Sequence, residues 1–177
     1  MDCNPELIAA AQNNTANLGF SDRFALHTGE LADTRFLENL RMEASPVQLV
    51  MANPPWRLVG SGRLPATEAR RKALFGDKGT FPLFASAASS LLEEDGRFAC
   101  IISPDRLQDM LAALDGAGLT PYLLQYIHKQ KTSPATFVLI EARKGAHAKP
   151  SVAEPIALYG PERFFTLESL AFCPFLR

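Results

Sequence analysis

Polar and apolar residues alternate along the chain in blocks that predict short buried strands between helices. The block 47–52 is mostly apolar and too short for a helix, which predicts a buried strand. A helix is predicted from Pro5, because Asn4 is a good N-cap, apolar residues then recur at helical spacing, and Gly19 suits a helix end. The same patterns predict further helices over 33–40, 80–94, 105–114 and 164–172, and further strands over 23–27, 97–103, 122–128, 135–141 and 156–159.

This order of elements predicts an α/β fold built on a doubly wound, mostly parallel sheet. The strands 122–128 and 135–141 are joined by a turn at 129–134, which predicts an antiparallel hairpin that reverses the last strand. A length of 177 residues predicts a single domain over 1–177. Ligands in such sheets bind beyond the carboxyl ends of the strands, so a functional site is expected there.

The sequence Asn53-Pro54-Pro55-Trp56 follows the strand predicted over 47–52. Prolines cannot donate ladder hydrogen bonds, and the residue before a proline is held extended, so Asn53 is predicted in a stiff turn at the strand end. Its amide and the Pro54 carbonyl can together hold a planar –NH2 group by both protons. Trp56 offers a flat face for stacking, worth roughly 1–3 kcal/mol with a nucleobase. The alternative is a proline-rich loop with a buried tryptophan.

Two carboxylates also fall at the ends of predicted strands or turns. Asp2 lies at the start of the chain, and Glu30 follows the strand predicted over 23–27. Together with Asn53 they form the expected functional constellation, because strand ends of one sheet meet at one edge.

The segment 57–79 is basic and rich in glycine, and it directly follows the predicted site. Long loops are usually functional or disordered, and this position favours a substrate-facing loop that contacts phosphates. A solvated surface with no ligand is the alternative. The candidate phosphate contacts are Arg57, Arg63, Arg70, Arg71 and Lys72.

Composition restricts the class of protein. The net charge of −1 argues against a general polyanion binder, so any nucleic-acid site must be a local patch. Cys3, Cys100 and Cys173 are far apart and odd in number, which favours a reducing, cytoplasmic setting over a disulfide framework. No Cys/His spacing is typical of a zinc site, and no apolar run reaches the length of a membrane span. We expect no metal and no membrane partner.

The chain resembles the class I S-adenosylmethionine-dependent methyltransferases. More narrowly, it is similar to the bacterial tRNA adenine-N6 methyltransferases that modify an anticodon-loop adenine of a valine tRNA. The resemblance covers nearly the whole chain. Its matching pieces are Asp2-x-Asn-Pro-Glu-Leu with Asn13 and Asn17, Gly29-Glu30, Val50 to Trp56, Glu68-Ala69-Arg70, Glu94 to Phe98, and Leu158 to Glu162.

The resemblance implies roles for individual residues. Asp2 resembles the acid that holds the cofactor ribose, and Glu30 resembles the acid near the cofactor adenine. Asn53 and Pro54 would bind the target amine beside S-adenosylmethionine, and Trp56 would stack on the target base. The family usually has tyrosine or phenylalanine where Trp56 stands, a change that keeps stacking. The implied function is methyl transfer to N6 of a tRNA adenine.

Other substrates share the Asn-Pro-Pro-aromatic motif. Protein glutamine methyltransferases and guanine-N2 RNA methyltransferases also carry it, and so do DNA adenine methyltransferases. The basic segment favours RNA over a protein substrate. A further alternative is an inactive fragment or an RNA-binding module.

The resemblance also places a first strand and a glycine-rich cofactor loop ahead of Met1, and no Gly-x-Gly-x-Gly occurs in the chain. The expected sheet therefore lacks that first strand, and neighbouring strands would be open edges. We expect a chain starting at Met1 to bind S-adenosylmethionine weakly or not at all. A longer natural chain, an oligomer or a partner chain would cover the edges.

Overall fold

The computed structural model describes residues 1–44, 46–58, 65–145, 149–162 and 164–173. It divides into two compact units, Met1–Ser45 and Pro46–Arg177. We predicted from the sequence that residues 1–177 form one domain. Whether the two units form a single domain is not tested by their separate description, so this stays a prediction.

The first unit contains two capped helices. Helix α1, Pro5–Asn17, begins where the Asn4 side chain accepts a hydrogen bond from the Glu6 amide at 2.9 Å, and Gly19 follows it at a φ of 70°. Helix α2 spans Thr34–Glu43 and is capped by Asp33. Both predicted helices are confirmed.

The strand predicted over 23–27 is wrong. A short 3₁₀ helix, Ser21–Arg23, covers its start. A single parallel bridge joins Asp2 to Thr28, and within the described residues no longer strand forms here. Residues 23–27 have the alternating pattern of a strand, but no neighbouring strand in the described part of the chain pairs with them, and the apolar side chain of Phe24 remains exposed.

The second unit contains a mixed sheet. Within the described residues it has six strands, in the order β1-β4-β6-β5-β7, with β8 also paired to β5. The strands are β1 Val47–Ala52, β4 Leu92–Ile102, β5 Leu119–Gln130, β6 Ala135–Lys144, β7 Ser151–Val152 and β8 Ile156–Tyr159. Strand β1 is parallel to β4, and β5 is parallel to β7 and β8, whereas β6 is antiparallel to both β4 and β5. The predicted mostly parallel sheet with a reversed last strand is confirmed.

The described residues of the segment 57–79 contain regular structure. They form two short paired strands, β2 Arg57–Leu58 and β3 Phe75–Gly76, and helix α3, Glu68–Leu74, which Thr67 caps. The sequence predicted a loop and missed this helix and these strands, whereas the expectation that the segment faces the substrate stays a prediction.

Three helices complete the second unit: α4 Thr80–Leu91, α5 Leu107–Gly116 and α6 Leu167–Phe172. A 3₁₀ turn, Pro104–Arg106, precedes α5 and replaces the start of the helix predicted over 105–114. Helix α4 ends earlier than predicted because β4 begins at Leu92 and pairs there with Val47. The core lies between α4, α5 and the sheet, and its fully buried members include Phe81, Phe98, Ile102, Met110, Leu114, Val138 and Ile140.

Candidate functional site

The turn after β1 holds the candidate site. Pro54 is less than 2% exposed, which anchors the turn, whereas Asn53 directly before it is exposed. The prolines bend the chain away from the ladder, so the Asn53 amide lies at the strand end and remains open to a ligand. Pro55 and Trp56 are half-buried.

A cavity of about 200 Å³ opens beside this turn. It is smaller than the roughly 300–1,000 Å³ typical of sites for drug-sized ligands, so it suits one flat ring system rather than a whole nucleotide. Asn53 supplies its amide, and the other lining residues are mainly apolar: Pro54, Trp56, Ala73, Leu74, Ile101 and Phe137. The cavity thus joins one hydrogen-bonding group to aromatic and aliphatic walls.

Two aromatic rings shape the cavity. The Trp56 and Phe137 rings meet edge to face, with centroids 6.1 Å apart and planes at 72°. The Arg57 guanidinium lies 5.3 Å from the Trp56 ring centroid, within the range of a cation–π contact. Phe137 was predicted only as part of a strand. Its place in the site depends on β6 lying between β4 and β5, which has no local sequence signal.

The turn is held by two neighbours that the sequence did not mark as functional. A Cβ on Gly76 would lie 2.5 Å from the Pro55 carbonyl oxygen, so only glycine fits this close approach. The Arg106 side chain donates from Nη1 to the Trp56 carbonyl at 2.9 Å. Both residues contact the backbone of the turn.

Basic side chains flank the cavity. Arg70, Arg71 and Lys72 are exposed on α3, whose last residues, Ala73 and Leu74, line the cavity. Arg71 also pairs with Glu68 at 3.4 Å, an exposed ion pair of little energetic weight. Arg57 is exposed on β2, and Arg63 lies outside the described residues.

The predicted cofactor carboxylates belong to the first unit. Asp2 is half-buried and accepts from the Asn4 amide through Oδ1 at 2.8 Å, which leaves Oδ2 for another donor. Glu30 is exposed and lies two residues beyond Thr28, the bridge partner of Asp2. The structure therefore brings these two carboxylates to one end of the first unit. Their joint action with Asn53 of the second unit stays a prediction.

A larger depression of about 610 Å³ lies on the apolar face of the sheet, and Asn53 lines it as well. Cys100 also contributes to the lining but packs in the core cluster, where burial raises its pKa to about 12 and keeps the thiol protonated, so it is unsuited as a nucleophile. Among the described residues, no cluster of three or more His, Cys, Asp or Glu side chains could hold a metal ion. None of the described helices has the length and apolarity that a membrane span requires.

No protein-family model matches the chain, and neither does any curated protein. Solved structures do match it. A predicted O-methyltransferase from Agrobacterium tumefaciens is 20% identical and has a TM-score of 0.69, with 98% of this chain and 73% of that chain covered.

Two further matches are less complete. A putative rRNA-methylase from Clostridium thermocellum is 20% identical with a TM-score of 0.50, over 80% of this chain and 72% of that one. An O-methyltransferase family 2 protein from Planctomyces limnophilus is 16% identical with a TM-score of 0.50, over 81% and 41%. At these identities the likeness concerns the fold, and the chain therefore has the Rossmann-like fold of methyltransferases.

Proposed function

We propose that this protein transfers a methyl group from S-adenosylmethionine to the exocyclic N6 of an adenine in the anticodon loop of a tRNA. The observation that carries the proposal is the exposed Asn53 amide at the carboxyl end of β1, in a cavity walled by Trp56 and Phe137. The Asn53 amide can hydrogen-bond a planar amine, the Trp56 ring can stack on the group that carries it, and the strand end holds both side chains in place. Together they can hold the amine in a fixed orientation.

In this proposal the cavity binds the adenine ring. Trp56 stacks on the base, and Phe137, which meets the Trp56 ring edge to face, supports that ring in the cavity wall. The Asn53 side-chain oxygen and the Pro54 carbonyl accept the two N6 protons, which fixes the plane of the amine. Because these acceptors draw electron density onto N6, its lone pair becomes available for in-line attack.

The cofactor supplies an electrophilic methyl group when bound. Asp2 would accept from the ribose hydroxyls through Oδ2, since its Oδ1 accepts from the Asn4 amide, and the exposed Glu30 would lie near the cofactor adenine.

RNA is favoured over a protein substrate by the charge around the cavity. The chain has a net charge of −1, yet Arg57 and the cations of α3 are exposed next to the cavity. A local basic patch on a near-neutral protein is suited to a phosphate backbone. An anticodon loop presents bases that are already partly unstacked, which lowers the cost of placing one in the cavity.

The first test is transfer of labelled methyl groups from the cofactor to unmodified tRNA, compared with a glutamine-containing peptide and an rRNA fragment. We expect Asn53→Ala to abolish transfer to tRNA while the circular dichroism spectrum is unchanged. Asn14→Ala, an exposed asparagine on α1, is the matched control and should keep full activity. Activity retained by Asn53→Ala would remove the amine-holding role.

A binding measurement separates an enzyme from an inactive RNA-binding module. Trp56 is the single tryptophan of the chain, so its fluorescence reports on the cavity directly. We expect an adenine-containing anticodon stem-loop to quench it, and the same stem-loop with an abasic position to quench it less. Methylated peptide but unmodified RNA would identify a protein glutamine methyltransferase, and RNA binding without transfer would identify a binding module.

A further inference from the structure

Arg106 is a buried cation close to the candidate site. It ends the 3₁₀ turn Pro104–Arg106 that follows β4, and only 6% of its surface is exposed. Arginine is almost never this buried unless its charge is paired. The pattern of the sequence gives no reason for a buried arginine here, so its partners are informative.

The guanidinium has three contacts, each from a different element. Nε donates to Oδ2 of Asp109 on α5 at 2.6 Å, and Nη1 donates to the Trp56 carbonyl at 2.9 Å. The ring of Phe81, on α4, lies 4.5 Å from Cζ and covers one face. The planar fork of arginine satisfies these contacts together, which a lysine ammonium cannot do.

The contact with Trp56 is the consequential one. Asp109 is 60% exposed at its side chain, so it can be solvated without Arg106, whereas the Trp56 carbonyl belongs to the turn that carries Asn53. A hydrogen bond to that carbonyl fixes the peptide plane between Trp56 and Arg57. It therefore fixes the direction in which the Trp56 ring leaves the backbone.

We infer that Arg106 is a positioning residue that holds the Asn53–Trp56 turn in the geometry required for methyl transfer. It contacts no group proposed to react, and it acts through the backbone carbonyl of Trp56, whose side chain lines the cavity. The inference rests on the proposed function for its catalytic consequence, whereas its structural part concerns Trp56 alone.

The test compares Arg106→Lys with the wild-type chain. The lysine keeps the charge but loses the fork, so a small displacement of the turn is expected. We expect kcat for tRNA methylation to fall by about 10- to 100-fold, as displacements near 1 Å commonly cause, with KM changed by less than about threefold. Trp56 should become more accessible to acrylamide, and its emission should move to longer wavelength.

Two control variants separate loss of the Arg106–Trp56 contact from general effects of substitution. Asp109→Glu keeps a carboxylate for Arg106 and leaves the bond to Trp56, so it should retain kcat within about threefold and wild-type quenching. Arg97→Lys changes a half-exposed arginine that pairs with Glu141 at 3.8 Å, and it should alter neither readout.

Wild-type kcat and quenching in Arg106→Lys would overturn the inference, and so would changed quenching with unchanged kcat. A proportional loss in Arg97→Lys would also overturn it, since that result indicates a general effect of arginine replacement. A wild-type chain that transfers no methyl group refutes the proposed function instead. In that case the quenching comparison still decides whether Arg106 holds Trp56.

Discussion

Gly76 offers a direct test of how tightly the turn after β1 is packed. In Gly76→Ala the new Cβ would lie 2.5 Å from the Pro55 carbonyl oxygen and 2.7 Å from Thr80 Oγ1. Displacing either of these two atoms would cost free energy. The first is backbone next to a buried proline, and the second is fixed by bonds of 2.9 and 3.1 Å to the amide and carboxylate of Asp77.

The expected magnitude follows from these distances. Overpacking of a well-packed site costs about 1–3 kcal/mol. Loss of backbone freedom in the unfolded chain returns about 0.4–1 kcal/mol when glycine becomes alanine. We therefore expect the free energy of unfolding to fall by about 1–2 kcal/mol, which corresponds to a Tm lower by roughly 2–8 °C for a chain of this size.

Urea denaturation followed by Trp56 fluorescence measures both the stability and the site. Gly116→Ala is the matched control. Gly116 is the last residue of α5, its φ is not positive, and a Cβ added there would have no other heavy atom within 4 Å. It should be neutral or raise stability by about 0.5–1 kcal/mol, as alanine does in a helix. Equal stability of the Gly76→Ala and wild-type chains, with the same native Trp56 emission, would refute the packing described around this turn.

Two further predictions concern charge. Burial raises the pKa of Cys100 from 9.0 to about 12, so the unfolded chain loses this proton first as the pH rises. The contribution of Cys100 to stability is therefore intact below pH 9, and above it the free energy of unfolding should fall by up to about 1.4 kcal/mol per pH unit until about pH 12. Urea titrations across this range should show a steeper fall for the wild-type chain than for Cys100→Ala, and equal slopes would contradict the burial. Replacing Arg70, Arg71 and Lys72 with alanine should make the salt dependence of tRNA binding shallower by about 2 in log–log slope, since each phosphate contact contributes roughly 0.7. Replacing Arg35 and Arg41 of α2 is the control, and an equal change there would show that α3 has no special role.

The sequence predicted the parts of the structure that depend on local pattern. Strand β1 and the turn after it follow from an apolar run that ends in two prolines, and both lie where expected. The prediction that this strand is buried is wrong: β1 ends the strand order of the described sheet, and Leu49 and Met51 are 41% and 74% exposed. The β5–β6 hairpin was also predictable, because two apolar strands flank a short polar turn. The reversed strand followed from that hairpin.

Features that depend on distant pairing were not predictable in the same way. Residues 23–27 have a strand-like pattern but form no strand, and the bridge nearby joins Asp2 to Thr28, because a strand needs a partner as well as a pattern. Phe137 contacts Trp56 from β6, and Arg106 contacts it from the 3₁₀ turn after β4; the sequence around these two residues does not indicate either contact. Conversely, the range 57–79 contains a helix that its glycines and charges concealed.

The placement of β6 has a consequence for how the protein is made. This strand lies between β4 and β5 although it follows both in the chain. During synthesis β4 and β5 are therefore both translated before β6. Neither strand can pair with β6, which lies between them in the sheet, until that strand has left the ribosome. Because Phe137 lies on that late strand, the cavity beside Asn53 acquires its second aromatic ring more than 80 residues after Asn53 and Trp56 have been translated.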